Sequence, residues 1–155
     1  MSHSVLLSKD YFVHQLVYID EHIKELTELY ISSTPVGERV KDFFAQYTLE
    51  VEGFLKENQR NDLITSIPKV FIGSKVTVVF EDEDDTEEYI ISYPEQTDPD
   101  SGIISFLSPV GRQLLLKRVG DQVSIKIPSG QLTVTIQEIS FAGHELDIKG
   151  ALKEA

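Results

Sequence analysis

The residues best equipped for chemistry are clustered at Glu81–Glu88, where seven of eight positions are carboxylates. Acids two apart on a loop can hold Ca²⁺ or Mg²⁺. This run lacks EF-hand spacing and has no glycine for the sharp turn, so it reads as a solvated hairpin tip. Four histidines are scattered, at His3, His14, His22 and His144. His14 and His22 lie eight apart, and no pair has the i, i+4 spacing of helical zinc sites. There is no Gly-x-Ser-x-Gly elbow, no GxGxxG loop and no Walker A pattern. The chain has no cysteine, which removes disulfides, thiolate zinc sites and cysteine nucleophiles. On these residues the expectation is a non-enzyme with no catalytic residues, no metal site and no cofactor.

Charge and composition narrow the partners. Of 155 residues, 41% are hydrophobic and 26% charged, ordinary values for one globular domain or a domain with an appendage. The net charge is −12, and removing the acidic run leaves −5 elsewhere. No basic stripe is left to neutralise a row of phosphates, so direct binding of free nucleic acid is not expected. A protein machine that works on nucleic acid remains open as a partner. No apolar window of about 18 residues exists, and Met1–Ser4 does not open a secretory leader. A cytoplasmic protein with no membrane contact is expected.

The elements divide the chain in two. Phe12, Leu16, Ile19, Ile23, Leu26 and Tyr30 step by 4, 3, 4, 3, 4, which predicts one apolar seam on a helix from about Lys9 to Ile31, with Ser8 as its N-cap. Thr34 as cap and Pro35 at the first helical position predict a second helix. Its seam is Val40, Phe44, Tyr47, Val51 and Phe54. A short loop between such helices predicts an antiparallel helical hairpin, or coiled coil, over residues 1–64. Gly53 marks a place for a kink or a frayed end. Tyr11, Val13, Val17, Phe43 and Leu55 leave a second apolar surface, a candidate for self-association through the hairpin. The rhythm changes near Pro68. Strands are predicted at Lys75–Glu81, Glu88–Tyr93, Ile103–Phe106, Gln122–Ile127 and Gln131–Phe141, with a last edge strand at His144–Lys149. Ser108-Pro109 opens a helix that Gly120 ends. Residues 65–155 therefore read as an antiparallel sheet with one packed helix, and the whole as α+β.

The stretch Ile104–Gly130, ISFLSPVGRQLLLKRVGDQVSIKIPSG, resembles the C-terminal signature of the GreA/GreB transcript-cleavage factor family. The matching positions are Ser108, Pro109, Gly111, Arg112, Leu114, Leu115, Gly120, Asp121, Pro128 and Gly130. Phe71–Val78 and Glu138–Phe141 resemble the flanks of that domain. The resemblance implies an FKBP-like C-terminal fold behind an N-terminal coiled coil. It also implies docking at the rim of the secondary channel of bacterial RNA polymerase. The implied docking residues are Leu107, Ser108, Pro109, Arg112, Lys117 and Arg118. In cleaving members two tip acids, three residues apart, help hold a second catalytic Mg²⁺.

Here the tip reads Ile31-Ser32-Ser33-Thr34-Pro35-Val36-Gly37-Glu38, and Glu38 is its sole acid. The tip positions Ser33, Thr34, Pro35 and Glu38 therefore do not reproduce the cleaving pair. Leu107 stands where cleaving members commonly carry Asp or Asn, as in the short branch called regulator of nucleoside diphosphate kinase. The resemblance thus implies a polymerase-binding elongation regulator that does not stimulate cleavage. Two alternatives stay open: an active cleavage factor using Glu38 with Glu28 or Asp42, and an FKBP-like peptidyl-prolyl isomerase or chaperone module.

Overall fold

The computed structural model describes residues 2–33, 40–58, 67–82 and 85–143. The chain divides into two compact units, Met1–Thr65 and Ser66–Ala155.

In the first unit, α1 spans Ser2–Ser33 and α2 spans Val40–Glu57. Helix α1 runs through Ser8, which is therefore not its cap. Of the predicted seams the helices bury Phe12, Ile19, Leu26 and Tyr30 from α1, with Phe44, Tyr47, Val51 and Phe54 from α2. Leu16 is half-buried, the side chain of Val40 lies outside those described, and Tyr11, expected on the second apolar surface, is buried instead. Phe12 packs edge-on against Phe54, with ring centroids 5.0 Å apart. Tyr30 packs against Phe43 and Phe44 at 4.7 and 6.0 Å. The buried Tyr47 hydroxyl donates to Gln15 Oε1 at 2.5 Å, which satisfies the oxygen of a fully buried amide.

The break in helical geometry falls at His22 (φ −114°, ψ 16°), not at Gly53, where α2 continues to Glu57. His22 Nδ1–H donates to the Tyr18 carbonyl at 2.9 Å, and the two rings stack at 4.4 Å. The side chain thus contacts a carbonyl one turn back in the helix. The seam residue Ile23, next to this break, is 41% exposed.

The second unit is a five-stranded sheet in the order β3-β2-β1-β5-β4. The strands are β1 Ser74–Phe80, β2 Thr86–Ser92, β3 Ile103–Ser105, β4 Gln122–Ile127 and β5 Gly130–Phe141. Period-two burial places Ser74, Val76 and Val78 of β1, Val123 and Ile125 of β4, and Val134 and Ile136 of β5 in the core. Thr77 faces Glu138 while Val78 faces Ile136, so Gln137 is an extra residue, a bulge. Beyond it the alternation shifts, and Ile139 and Phe141 turn to the inner face opposite Val76 and Ser74.

The sheet is mixed, not antiparallel as predicted. β3 pairs parallel to β2, with Ile90 facing Ile103 and Ser92 facing Ser105. The turn-forming stretch between them holds two 3₁₀ turns, Pro94–Gln96 and Pro99–Ser101, and carries the chain back before β3 starts. Asp98 and Ile103 exchange backbone hydrogen bonds and Gly102 adopts φ 77°, which closes that return. The predicted long helix is also shorter: α3 covers Pro109–Leu114. Leu116 takes a left-handed φ of 68°. Its N–H donates to the Val70 carbonyl, and Val70 N–H donates to the Lys117 carbonyl. This backbone pairing stops the helix, and Gly120 (φ 93°) shapes the turn beyond it. The predicted strand at His144–Lys149 lies outside the described residues. No helix among the described residues is long and apolar enough to cross a membrane.

Candidate functional site

Three of the expected docking residues sit where β3 hands over to α3. Ser108 is extended (φ −65°, ψ 159°) and Pro109 occupies the first helical turn. Ser108 Oγ accepts from Gly111 N–H at 3.1 Å and donates to the Ser105 carbonyl at 2.7 Å. Ser105 Oγ accepts from Leu107 N–H at 3.0 Å. Upstream, Phe106 N–H donates to the Ser92 carbonyl at 2.8 Å, which ties the loop to β2. The connection is therefore cross-braced by two serines. Gly111 makes it possible: a Cβ there would lie 2.1 Å from the Ser105 carbonyl oxygen. Only a residue without a side chain lets α3 approach so closely.

Of the predicted docking residues, Ser108, Pro109 and Arg112 share this one turn, and Arg112 N–H donates to the Ser108 carbonyl at 2.9 Å. Arg112 is half-buried, and its Nη1 is enclosed with no hydrogen-bond partner among the described residues. Lys117 and Arg118 are exposed. They lie beyond the end of α3, so the three cations do not share a helix face. Asp121 Oδ2 accepts from Arg118 N–H at 2.9 Å and holds that turn. Leu107 departs from its predicted role. It is only 4% exposed, a core residue whose side chain is not offered to a partner. Of the tip residues, Ser33 is the last residue of α1, while Thr34, Pro35 and Glu38 lie outside the described residues.

Sequence reasoning missed Gln113. Its Nε2 donates to the Pro109 carbonyl at 2.6 Å and the Lys126 carbonyl at 2.8 Å. Its Oε1 accepts from Lys126 N–H at 2.8 Å. One side-chain amide thus fixes α3 to β4. No short motif announces a glutamine in this role.

The acidic run behaves as a tip. β2 begins at Thr86, within the run, and Phe80 N–H donates to the Asp85 carbonyl at 2.8 Å. Asp82, Asp85 and Glu87 rim a cavity of about 310 Å³ floored by Phe80, Leu132 and Thr133. No group of acids or histidines among the described residues is placed to hold a metal. Burial, then the hydrogen bond and charge of Glu87, push the Tyr89 hydroxyl well above the usual tyrosine range. Phe71 and Phe106 are fully buried and present no ring to a substrate.

Residues 65–141 match the family model for the C-terminal domain of transcription elongation factor GreA/GreB. Transcription elongation factor GreA of Desulfovibrio desulfuricans is 44% identical over 75 residues, 48% of this chain and 46% of that protein. GreA of a Sulfurovum species is 40% identical over 73 residues, 47% of this chain and 45% of that protein. The matches thus span less than half the length of these curated relatives. A crystal structure of GreA factor homolog 1 from Thermus thermophilus aligns with a TM-score of 0.44 at 20% identity, covering 85% of this chain and 94% of that one. Through residues 65–141 the chain belongs to the GreA/GreB family of transcription elongation factors.

Proposed function

We propose that this protein is a regulator of transcription elongation that docks at the secondary channel of bacterial RNA polymerase and does not stimulate transcript cleavage. The family match over residues 65–141 carries the docking half of this reading. The braced loop supports it: Ser108, Pro109 and Arg112 are held in fixed geometry, so a partner meets a preorganised surface. Arg112 is the anchor of that surface, and Lys117 and Arg118 add exposed positive charge that steers encounter with an acidic patch.

The non-cleaving half rests on the tip. Holding a second catalytic metal needs two carboxylates converging on one ion. The segment Ile31–Glu38 supplies one, Glu38. Glu25 and Glu28 are exposed on α1 but precede its last residue, Ser33, by a turn or more.

The test is competition between the full chain and a cleavage-competent GreA for core RNA polymerase, with transcript cleavage followed in a backtracked complex in the same reaction. Mutual exclusion without cleavage is expected, and Arg112→Glu should raise the competing concentration about tenfold or more. Failure to compete at micromolar protein refutes docking. Cleavage stimulated by this chain refutes the non-cleaving reading and restores the active-factor alternative.

A further inference from the structure

The first unit carries a groove that its own packing does not fill. Between α1 and α2 lies a cavity of about 370 Å³ lined by Leu16, Ile19, Ile23, Phe44 and Ala45, with Thr48 beside them. Asp20 stands on one rim and Glu52 on the other. The apolar surface continues outward. Val13 (46% exposed) and Val17 (48%) extend it on α1, and Leu49 (63%) extends it on α2. Helical spacing puts Val13, Leu16, Val17 and Asp20 on one side of α1, and Ala45, Thr48, Leu49 and Glu52 on one side of α2. An apolar trough between charged shoulders is the shape that receives the apolar face of a helix.

Charge selects the occupant. The described parts of this unit, 2–33 and 40–58, hold nine acids and four bases. Among the described residues, no lysine or arginine lines the groove. A second copy docking symmetrically would bring Asp20 and Glu52 against the same acids of its twin, within a chain of net charge −12. A helix with basic residues flanking its apolar stripe meets both demands. We infer that the α1–α2 groove docks a basic amphipathic helix of another protein. This site lies in the first unit, and the inference does not depend on the polymerase reading.

The full chain contains no tryptophan, so a peptide carrying one reports its own environment. The probe is an 18-residue helical peptide of leucine and lysine with a single tryptophan, compared with its leucine–glutamate counterpart. The lysine peptide should bind at micromolar concentration with a blue shift in emission, and the glutamate peptide should not. Asp20→Lys with Glu52→Lys, both at exposed positions, should weaken the lysine peptide at least tenfold and admit the glutamate peptide. Ala45→Phe, which fills the groove, should abolish binding of the lysine peptide. Asp82→Lys with Asp85→Lys, an equal charge reversal in the second unit, should leave binding within about twofold. Equal loss from the two charge reversals means that bulk charge alone attracts the peptide, and overturns the inference. Undiminished binding to the Ala45→Phe variant overturns it as well. So does a dimer in solution that Val17→Glu converts to monomer, because the occupant is then a second copy.

Discussion

Replacing Gly111 with alanine tests whether the β3–α3 connection is as tight as its geometry states. The new Cβ would sit 2.1 Å from the Ser105 carbonyl oxygen and 2.9 Å from Ser108 Oγ, where real Cβ contacts essentially never fall below 3.0 Å. The nearest obstacle is backbone, so α3 must lift by about 1 Å. That movement stretches the Ser108 Oγ bonds to the Ser105 carbonyl and Gly111 N–H, now 2.7 and 3.1 Å. Two such bonds are worth about 1 kcal/mol each, and overpacking adds about 1–3 kcal/mol. The expected loss is therefore about 3–5 kcal/mol, a large share of a small domain's stability. Urea unfolding followed by far-UV circular dichroism measures it, with amide exchange in β1 and β5 assigning the transition to the second unit. Gly53→Ala in α2 is the internal contrast. Nothing lies within 4 Å of its Cβ, so the same substitution should stabilise the first unit by about 0.5–1 kcal/mol. A Gly111→Ala protein within about 0.5 kcal/mol of the parent would refute the close-approach argument.

Gln113→Ala should cost about 1–2 kcal/mol through the two lost bonds to the Lys126 backbone. Gln113→Glu keeps the acceptor for Lys126 N–H but loses the donor, so its urea midpoint should fall between alanine and the parent. Tyr89 gives a pH signature. A hydroxyl whose folded pKa is raised binds its proton more tightly in the native state. Its contribution to stability is intact below the unfolded value near 10 and declines as pH rises past it. Tyr89→Phe should flatten that alkaline decline, and an ultraviolet absorbance titration should lose its latest-titrating tyrosine. An unchanged titration would remove the role assigned to burial and Glu87.

Much of the fold was legible because burial follows period. Phe12, Ile19, Leu26 and Tyr30, with Phe44, Tyr47, Val51 and Phe54, are core because 3.6- and 2-residue periods are physical, and β1, β4 and β5 alternate for the same reason. What escaped were features set by partners distant in sequence. The direction of β3 depends on where the chain returns after Gly102. The end of α3 depends on Val70 claiming the Leu116 N–H. The Gln137 bulge depends on β1, and nothing local in β5 encodes it. At the candidate site, Ser108, Pro109 and Arg112 were readable from a cap-and-proline pattern together with the family signature. Leu107 was misplaced because a motif position does not reveal which way its side chain points. Gln113 stayed hidden because its partner, Lys126, is thirteen residues away.

Gln113 also bears on what this protein avoids. β4 is the last strand on its side of the sheet, and its outward backbone groups are a template on which a foreign strand could add. At Lys126 that template is already used: a side-chain amide occupies both the donor and the acceptor that an incoming peptide would need. The helix that displays Arg112 therefore also blunts the sheet edge. An exchange at Gln113 that spares folding would still unmask a sticky border, and its consequence would be slow assembly into oligomers at high protein concentration.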